Sequence, residues 1–453
     1  MPLFEFVGQS SQDSDNSQVA TSRLLNMYRE PVKLGDKTDY VLKSTLGTTP
    51  FADLETVFMR AMERVGLVVM VVAGGSVYRI DGNRVVTNFG EVVDSEQTTI
   101  SGNNGITTVC AGGKYYTVDG GVISEPAPGA FSDFGSVSYF GNYTILLERD
   151  GRRFQWSDLT DPHTLPGLNF ATTEARDEFN IRGMPIGNNF WIFKNRSTEI
   201  WYLTGASGAN AFARVSGGVN DVGLLRFDLV TKHPAGAFFV GSDGIAYLTD
   251  GGGIRPISTT AVETAIAEET PTNCFYYEDE GHKICVIRFQ DRPAWCLDIS
   301  TGEWHERSEG TDHGAWCAVA SVYSYGHWNV GTDLGQMYRL VRNNQDVSGE
   351  MRRTAVSRTM SNDQGLFVID KVEFTGRVGK ADLGRDASCW IRVSRNNGQT
   401  WSEPKKRSLG ALGEYEKRIT YRNMGQFRQA TVEINVSDPA EIPINAAASV
   451  DIS

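Results

Sequence analysis

The stretch Val72-Ala73-Gly74-Gly75-Ser76-Val77-Tyr78-Arg79-Ile80-Asp81-Gly82 places two apolar runs around a glycine pair, and it returns almost intact as Cys110-Ala111-Gly112-Gly113-Lys114-Tyr115-Tyr116-Thr117-Val118-Asp119-Gly120. The glycines supply the positive φ angles that a tight connection needs, while Val, Ile and Tyr suit a pleated, half-buried surface, so each copy reads as a β-hairpin. Looser copies begin at Leu147, Phe193, Val240, Ile287 and Val330. With Val72 and Cys110 as the first anchors, the spacings are 38, 37, 46, 47, 47 and 43 residues. A period of that length belongs to a propeller. A lone hairpin cannot bury its apolar face, whereas small antiparallel sheets arranged radially cover one another. The expectation is an all-β chain with a β-propeller of six or seven blades, seven preferred. An ordinary large β-sandwich with chance turn similarity is the alternative.

Glycine fits a chain made of turns: 48 of 453 residues, about one in ten, against an average of about 7%. The formal charge of −12 excludes a generally cationic nucleic-acid binder. That charge is unevenly placed: residues 351–453 carry 16 Lys and Arg against 12 Asp and Glu, and residues 1–350 carry 27 against 43, a split of +4 and −16. Cys110, Cys274, Cys285, Cys296, Cys317 and Cys389 form no C-x-x-C pair and have no His at ligand spacing, so neither a zinc site nor a redox dithiol is expected. No cofactor is expected either. The N-terminus lacks a basic segment followed by an apolar one, and Val65 to Ala73 is too short to cross a bilayer. A soluble chain made in the cytoplasm is the expectation.

Three parts follow from the pattern. Residues 1–49 read as a polar arm, over 8–22, followed by strand-like runs at Arg23 to Tyr28 and Tyr40 to Gly47; residues 50–345 read as the propeller; residues 346–453 read as a β-sandwich that forms a platform with the N-terminal segment. Within the last part, Phe367 to Phe374, Cys389 to Ser394, Arg418 to Tyr421 and Arg428 to Val436 alternate as strands do. Ser258 to Glu269 is the best helical signal, with Thr260 and Glu263 spaced as a capping box, and it is placed between blades.

Ser394, Asn396, Gly398, Thr400 and Trp401 resemble the Asp-box hairpin of sialidases and related propellers, S-x-D-x-G-x-T-W, with Asn396 where the aspartate usually stands. The resemblance implies either a glycosidase or a fold element remote from catalysis, and a single copy outside the blade series favours the fold element. Glu278-Asp279-Glu280 and Glu268-Glu269 can be written as acid/base pairs, but adjacent carboxylates on loops are ordinarily solvated. No metalloprotease motif or nucleophile elbow accompanies the histidines. Lys405, Lys406 and Arg407 form a basic cluster suited to phosphate or to an acidic partner. Trp156, Trp191, Trp201, Trp304, Trp316 and Trp328 are either blade core or stacking faces for a sugar.

Taken in order, Leu25-Asn26-Met27-Tyr28, Tyr40-Val41-Leu42, Leu46-Gly47, the AGGSVYRIDG hairpin, FKNRSTEIWYLTGASG from Phe193, GIRPISTTAVETAIAEE from Gly253, Trp390 to Ser394 and Met424 to Arg428 resemble the packaged-DNA stabilisation proteins of short-tailed bacteriophages. The resemblance runs nearly the whole length of the chain, and Trp201 to Ala206 is its most specific piece. It implies a structural, non-enzymatic virion protein assembled in the host cytoplasm: a homohexameric tail hub or nozzle beneath the portal and adaptor ring. Such a hub extends the DNA channel without specific binding, closes the tail on packaged DNA, and supports fibres, spikes or a needle. Lys405, Lys406 and Arg407 are then candidates for docking on the adaptor. A sialidase-like or carbohydrate-binding propeller acting on a receptor is the alternative function.

Overall fold

The fold was analysed in a computed structural model that describes residues 3–8, 10–11, 22–34, 37–55, 58–250, 253–362, 365–376, 378–379, 387–438, 444–445 and 447–452. The polar arm expected over 8–22 lies mostly outside the described residues, as do two glycines of the 251–253 turn.

Among the described residues, seven successive four-stranded antiparallel units occupy the first three quarters of the chain, six as separate sheets and the sixth in order as one end of a ten-stranded sheet. Their inner strands are Met59–Val65, Thr98–Asn103, Phe134–Phe140, Asn180–Ile186, Val230–His233, Asn273–Asp279 and Ala318–Ser324. Every one of the seven sequence anchors, from Val72 to Val330, falls on the second strand of one of these sheets, and each is buried. The two clearest hairpins close as the glycines require. Ala73 pairs with Ser76 and Ala111 with Lys114, leaving two-residue turns in which Gly74 and Gly75 have φ of 52° and 75°, and Gly112 and Gly113 have 58° and 84°. A side chain at Gly113 would also meet the Asp133 carboxylate at 2.4 Å.

Each neighbouring pair of sheets shares apolar side chains. Val72 of the first meets Val109 of the second, and Cys110 of the second meets Leu146 of the third. Trp156 of the third packs with Phe190 of the fourth, and Phe193, Phe239 and Ile287 join the fourth, fifth and sixth. Val286 then meets Val330 of the seventh, and Met337 of the seventh meets Met59 and Val71 of the first. The circle of contacts is closed, which makes the architecture a β-propeller.

Closure uses the N-terminal side of the chain. The seventh sheet takes its fourth strand from Gly47–Asp53, which pairs with Gln336–Val341. The strand therefore straddles the boundary expected at residues 49/50, because the last sheet would otherwise end on an open edge. The helix Thr260–Glu268 lies between the fifth and sixth sheets and buries Ala261, Val262, Ala265 and Ile266 against them. Its N-cap is Thr259 rather than Thr260, and the Glu263 carboxylate accepts a hydrogen bond from Ser258 Oγ at 2.8 Å instead of completing a capping box.

Beyond the propeller, the chain builds a β-sandwich. One sheet orders Leu3–Glu5, Ala447–Ile452, Phe367–Phe374 and Ile419–Phe427; the facing strands are Arg353–Val356, Gln429–Val436, Ser388–Ser394 and Lys405–Ser408. Between them lies one core, with Phe367, Ile369, Val372 and Phe374 from alternating positions packed on Ile391, Val432 and Ile434. N-terminal residues are woven through it. Arg23–Leu25 pairs antiparallel with Arg353–Val356 on one side and parallel with Glu303–Arg307 on the other, so the sandwich sheet continues the sixth blade. The hairpin Met27–Leu34/Lys37–Ser44 is joined by Ile444–Asn445. Platform and propeller are thus connected through hydrogen-bonded sheet as well as through the chain.

Candidate functional site

At the junction, residues distant in sequence converge on Arg307, the last residue of the sixth blade. Its Nη1 donates to Thr45 Oγ1 at 2.7 Å and to Asn26 Oδ1 at 3.3 Å, and its Nη2 donates to Asp346 Oδ1 at 3.1 Å. The guanidinium carbon also lies 4.9 Å from the Trp316 ring centroid. Nearby, Arg342 pairs with Asp279, Tyr28 Oη donates to Asp279 Oδ2 at 3.0 Å, and Lys43 pairs with Glu280. Burial raises the Asp279 carboxyl against the pull of Arg342. Asp279 and Glu280 therefore clamp the propeller to the N-terminal hairpin, while Glu278 accepts from Tyr276 Oη at 2.6 Å within its own strand. Glu268 and Glu269 are occupied likewise: the first pairs with Arg292 at 2.9 Å, and the second accepts the amides of Gln290 and Asp291.

The histidines divide between pairing and burial. His282 Nδ1 lies 2.6 Å from Asp298 Oδ2, and that bond raises its pKa. His305, packed beside Tyr28, is pushed down to about 4 by burial, and burial takes His313 down to about 3. The cysteines are unbridged, and burial raises their thiols. Among the described residues, no three His, Cys, Asp or Glu side chains converge as a metal site.

The Asp-box-like residues form one turn on the platform. Ser394 Oγ accepts from the amides of Asn396 and Gly398 at 3.3 and 2.8 Å, while Asn396 Oδ1 accepts from the amide and hydroxyl of Thr400 at 2.8 and 3.2 Å. The amide carbonyl of Asn396 thus does what a carboxylate oxygen would do there. Gly398 has a φ of 87°, and Trp401 lies under the Arg392 guanidinium at 5.4 Å.

Alternation separates the basic cluster, because Lys405, Lys406 and Arg407 occupy successive positions of the edge strand Lys405–Ser408. Lys405 Nζ donates to the carbonyls of Arg422 and Asn423 at 3.2 and 2.7 Å, and Arg407 Nε donates to the Thr420 carbonyl at 3.2 Å. These two bridge the sandwich sheets. Lys406 lies opposite Trp390 on the other side and is exposed.

A concavity lies along the propeller axis. It holds a cavity of about 900 Å3, lined by all seven inner strands. Seven-residue strands such as Met59–Val65 run about 23 Å at roughly 3.3 Å per residue; spread over that length, the volume open to water centres is about 7 Å wide, and the water radius of about 1.4 Å on each side brings the mean bore to about 10 Å. Glu63, Arg182, Asp228 and Lys232 bring charge into it from three blades and an adjoining loop. Arg182 Nη1 reaches Asp228 Oδ1 at 3.4 Å, and desolvation holds the Asp228 carboxyl up at about 6. Enclosure raises Glu63 and lowers Lys232, which attract each other through space. Of the six tryptophans singled out by sequence, Trp156, Trp191, Trp201, Trp304 and Trp316 are core, and Trp328 alone is partly open, at this cavity.

Comparison with known proteins gives two family matches that together span almost the whole chain. Residues 2–344 match the family described as bacteriophage P22 Gp10, β-propeller, and residues 352–450 match bacteriophage P22 Gp10, β-sandwich. No curated protein sequence matches. Among solved structures, a chain of the mitotic checkpoint complex is 12% identical with a TM-score of 0.43, over 66% of this chain and 94% of that one. Streptogramin B lyase is also 12% identical, with a TM-score of 0.43 over 70% and 97%. The WD40 domain of Neurospora crassa Pan2 is 8% identical, with a TM-score of 0.46 over 65% and 95%.

Proposed function

The chain belongs to the bacteriophage P22 Gp10 family of phage tail proteins that stabilise packaged DNA, and from that premise we propose that it is the hub, or nozzle, of a short tail. In this reading, six copies form a ring below the portal and adaptor, prolong the DNA channel, close it on the packaged genome and carry the distal fibres, spikes or needle. The chain is structural and performs no catalysis. Residues 1–49, less the strand that closes the last blade, form the platform with residues 346–453.

The observation that carries the ring is the width of the axis. A bore of about 10 Å is narrower than the major groove of a duplex alone, at about 12 Å. DNA therefore cannot run through one propeller, and a conduit requires several copies around a shared axis. The charge split supports the same reading. An acidic wall, −16 over residues 1–350, offers phosphates few cations for counterion release and lets the strand slide. The +4 of residues 351–453 suits docking on an acidic adaptor surface. Lys406, exposed and turned away from the sheet bridges, is the member of the basic cluster best suited to that contact; Lys405 and Arg407 would act chiefly by holding the edge strand in place.

Mixing the purified chain with its adaptor ring and measuring mass by light scattering tests the proposal. A stoichiometric sixfold complex is expected, weakened by Lys406→Glu, with no retarded band for plain duplex DNA at low salt. A chain that stays monomeric beside the adaptor, or that retards the duplex, refutes it.

A further inference from the structure

The axial cavity has a chemistry that neither a DNA conduit nor a folded blade requires. Its rim is aromatic. Tyr323 is 49% exposed and Tyr139 is 37% exposed, on two different blades, and both line the opening. Trp328 is wedged at the same rim, with its ring 5.6 Å from Tyr323 and 5.5 Å from Tyr276. The six other tryptophans of the propeller, Trp156, Trp191, Trp201, Trp295, Trp304 and Trp316, are buried, so the half-open position of Trp328 is a departure from the packing rule of this fold.

Glu63 and Lys232 line the same lumen from the first and fifth blades, and both are exposed. They attract through space, yet no ion pair joins them, and among the described residues Lys232 has no salt-bridge partner within 4.0 Å. Of the other charges lining the lumen, Arg60 pairs with Asp94 at 2.9 Å and Arg182 with Asp228 at 3.4 Å, while Arg64 donates to the Gly66 carbonyl at 3.0 Å. An acceptor and a donor held apart across a narrow lumen, beside flat apolar faces, match one kind of ligand well. A pyranose ring presents C–H groups on its faces and vicinal hydroxyls on its edge. The faces stack on aromatic rings that combine an apolar body with a polar tip, and the edge bridges a carboxylate and an ammonium in a lumen whose lining is more polar than apolar.

We infer that the propeller axis is a carbohydrate site, taking a saccharide chain end-on at the rim formed by Tyr139, Tyr323 and Trp328, with hydroxyls held by Glu63 and Lys232. The bore, about 10 Å wide, admits a single extended polymer. This goes beyond the hub role, because the site lies within one subunit and needs no ring.

The experiment uses the full chain with maltohexaose, chitohexaose and hexagalacturonate as neutral, N-acetylated and acidic probes, read by saturation-transfer NMR and by Trp fluorescence. At least one probe is expected to bind at millimolar concentration or below. Tyr323→Ala and Lys232→Met should each weaken it by about tenfold or more, equivalent to about 1.4 kcal/mol, with an unchanged circular dichroism spectrum. Tyr139→Ser serves as a second rim variant if either of the others misfolds. Binding by none of the three probes, or binding that survives both rim and lumen variants, overturns the inference. Because the assay is done on free chain, its failure leaves adaptor assembly standing, and failed assembly leaves this site standing.

Discussion

Replacing Arg307 by methionine should loosen the platform from the propeller, by an amount that can be worked from the contacts. The Arg307 side chain is 1% exposed and that of Asp346 is 0% exposed, so the pair is wholly enclosed. Methionine preserves length and apolar bulk but leaves the Asp346 carboxylate, whose Oδ2 already lacks a hydrogen-bond partner, without its cation. The other partners lose less: Thr45 Oγ1 still reaches the Asn26 carbonyl, and Asn26 Oδ1 still accepts the Ser308 amide. The cost therefore concentrates on the stranded charge, at about 3–5 kcal/mol. For a unit of roughly 300 residues, an unfolding entropy near 2.1 cal/mol/K per residue makes about 4 kcal/mol a fall of about 6 °C in the propeller midpoint. Scanning calorimetry reads that shift, and limited proteolysis between residues 342 and 352 should accelerate with it. The double variant Arg307→Met/Asp346→Leu removes both charges and should return to within about 1 kcal/mol of the parent, since well-packed apolar groups replace buried pairs with little loss. A single variant that costs under about 1 kcal/mol, or a double variant no better than the single, would refute the claim that this pair holds the junction.

Deleting residues 47–53 should leave Gln336–Val341 as an open edge, and light scattering should then report association through strand pairing rather than a well-behaved monomer. Asn396→Ala removes the acceptor for both Thr400 donors and should destabilise the platform by about 1–3 kcal/mol, while Asn396→Asp keeps the turn; hydrogen exchange over residues 394–402 distinguishes them. Acidification should also weaken the junction. His305, held down at about 4 by burial, stays neutral in the folded chain while its unfolded counterpart protonates near 6.5, so stability falls as pH drops through that window, by at most about 3 kcal/mol. His313 has the same sign. His282, raised by Asp298, acts oppositely: its contribution is complete below about 6.5 and disappears as pH rises through its folded value. In a series of thermal midpoints against pH, His305→Gln should flatten the acid side alone; a variant with the parent's acid slope would count against the assignment.

The hairpin series was legible in the sequence because its determinants are local. Gly74-Gly75 and Gly112-Gly113 dictate two-residue turns, the β-branched and aromatic flanks dictate strands, and the repeat of that unit dictates neighbours for each apolar face. The alternation of Phe367 to Phe374 announced a sandwich strand for the same reason. The turn at Ser394 to Trp401 was equally readable, since the bonds that Ser394 Oγ and Asn396 Oδ1 make within it span four residues or fewer.

What only the tertiary structure decided involves residues hundreds of positions apart. Nothing near Gly47–Asp53 indicates that it completes the last blade, because its partner strand begins at Gln336. Nor does the run Lys405-Lys406-Arg407 disclose that two of its cations are spent on carbonyls of the opposing sheet. The same holds for Arg307 with Thr45 and Asp346, and for Trp328, whose difference from the six buried tryptophans of the propeller depends on where the seven inner strands leave space. Local pattern sets which backbone angles and which faces a segment prefers. Which segments then meet depends on closing the ring, and closure is a property of the whole chain.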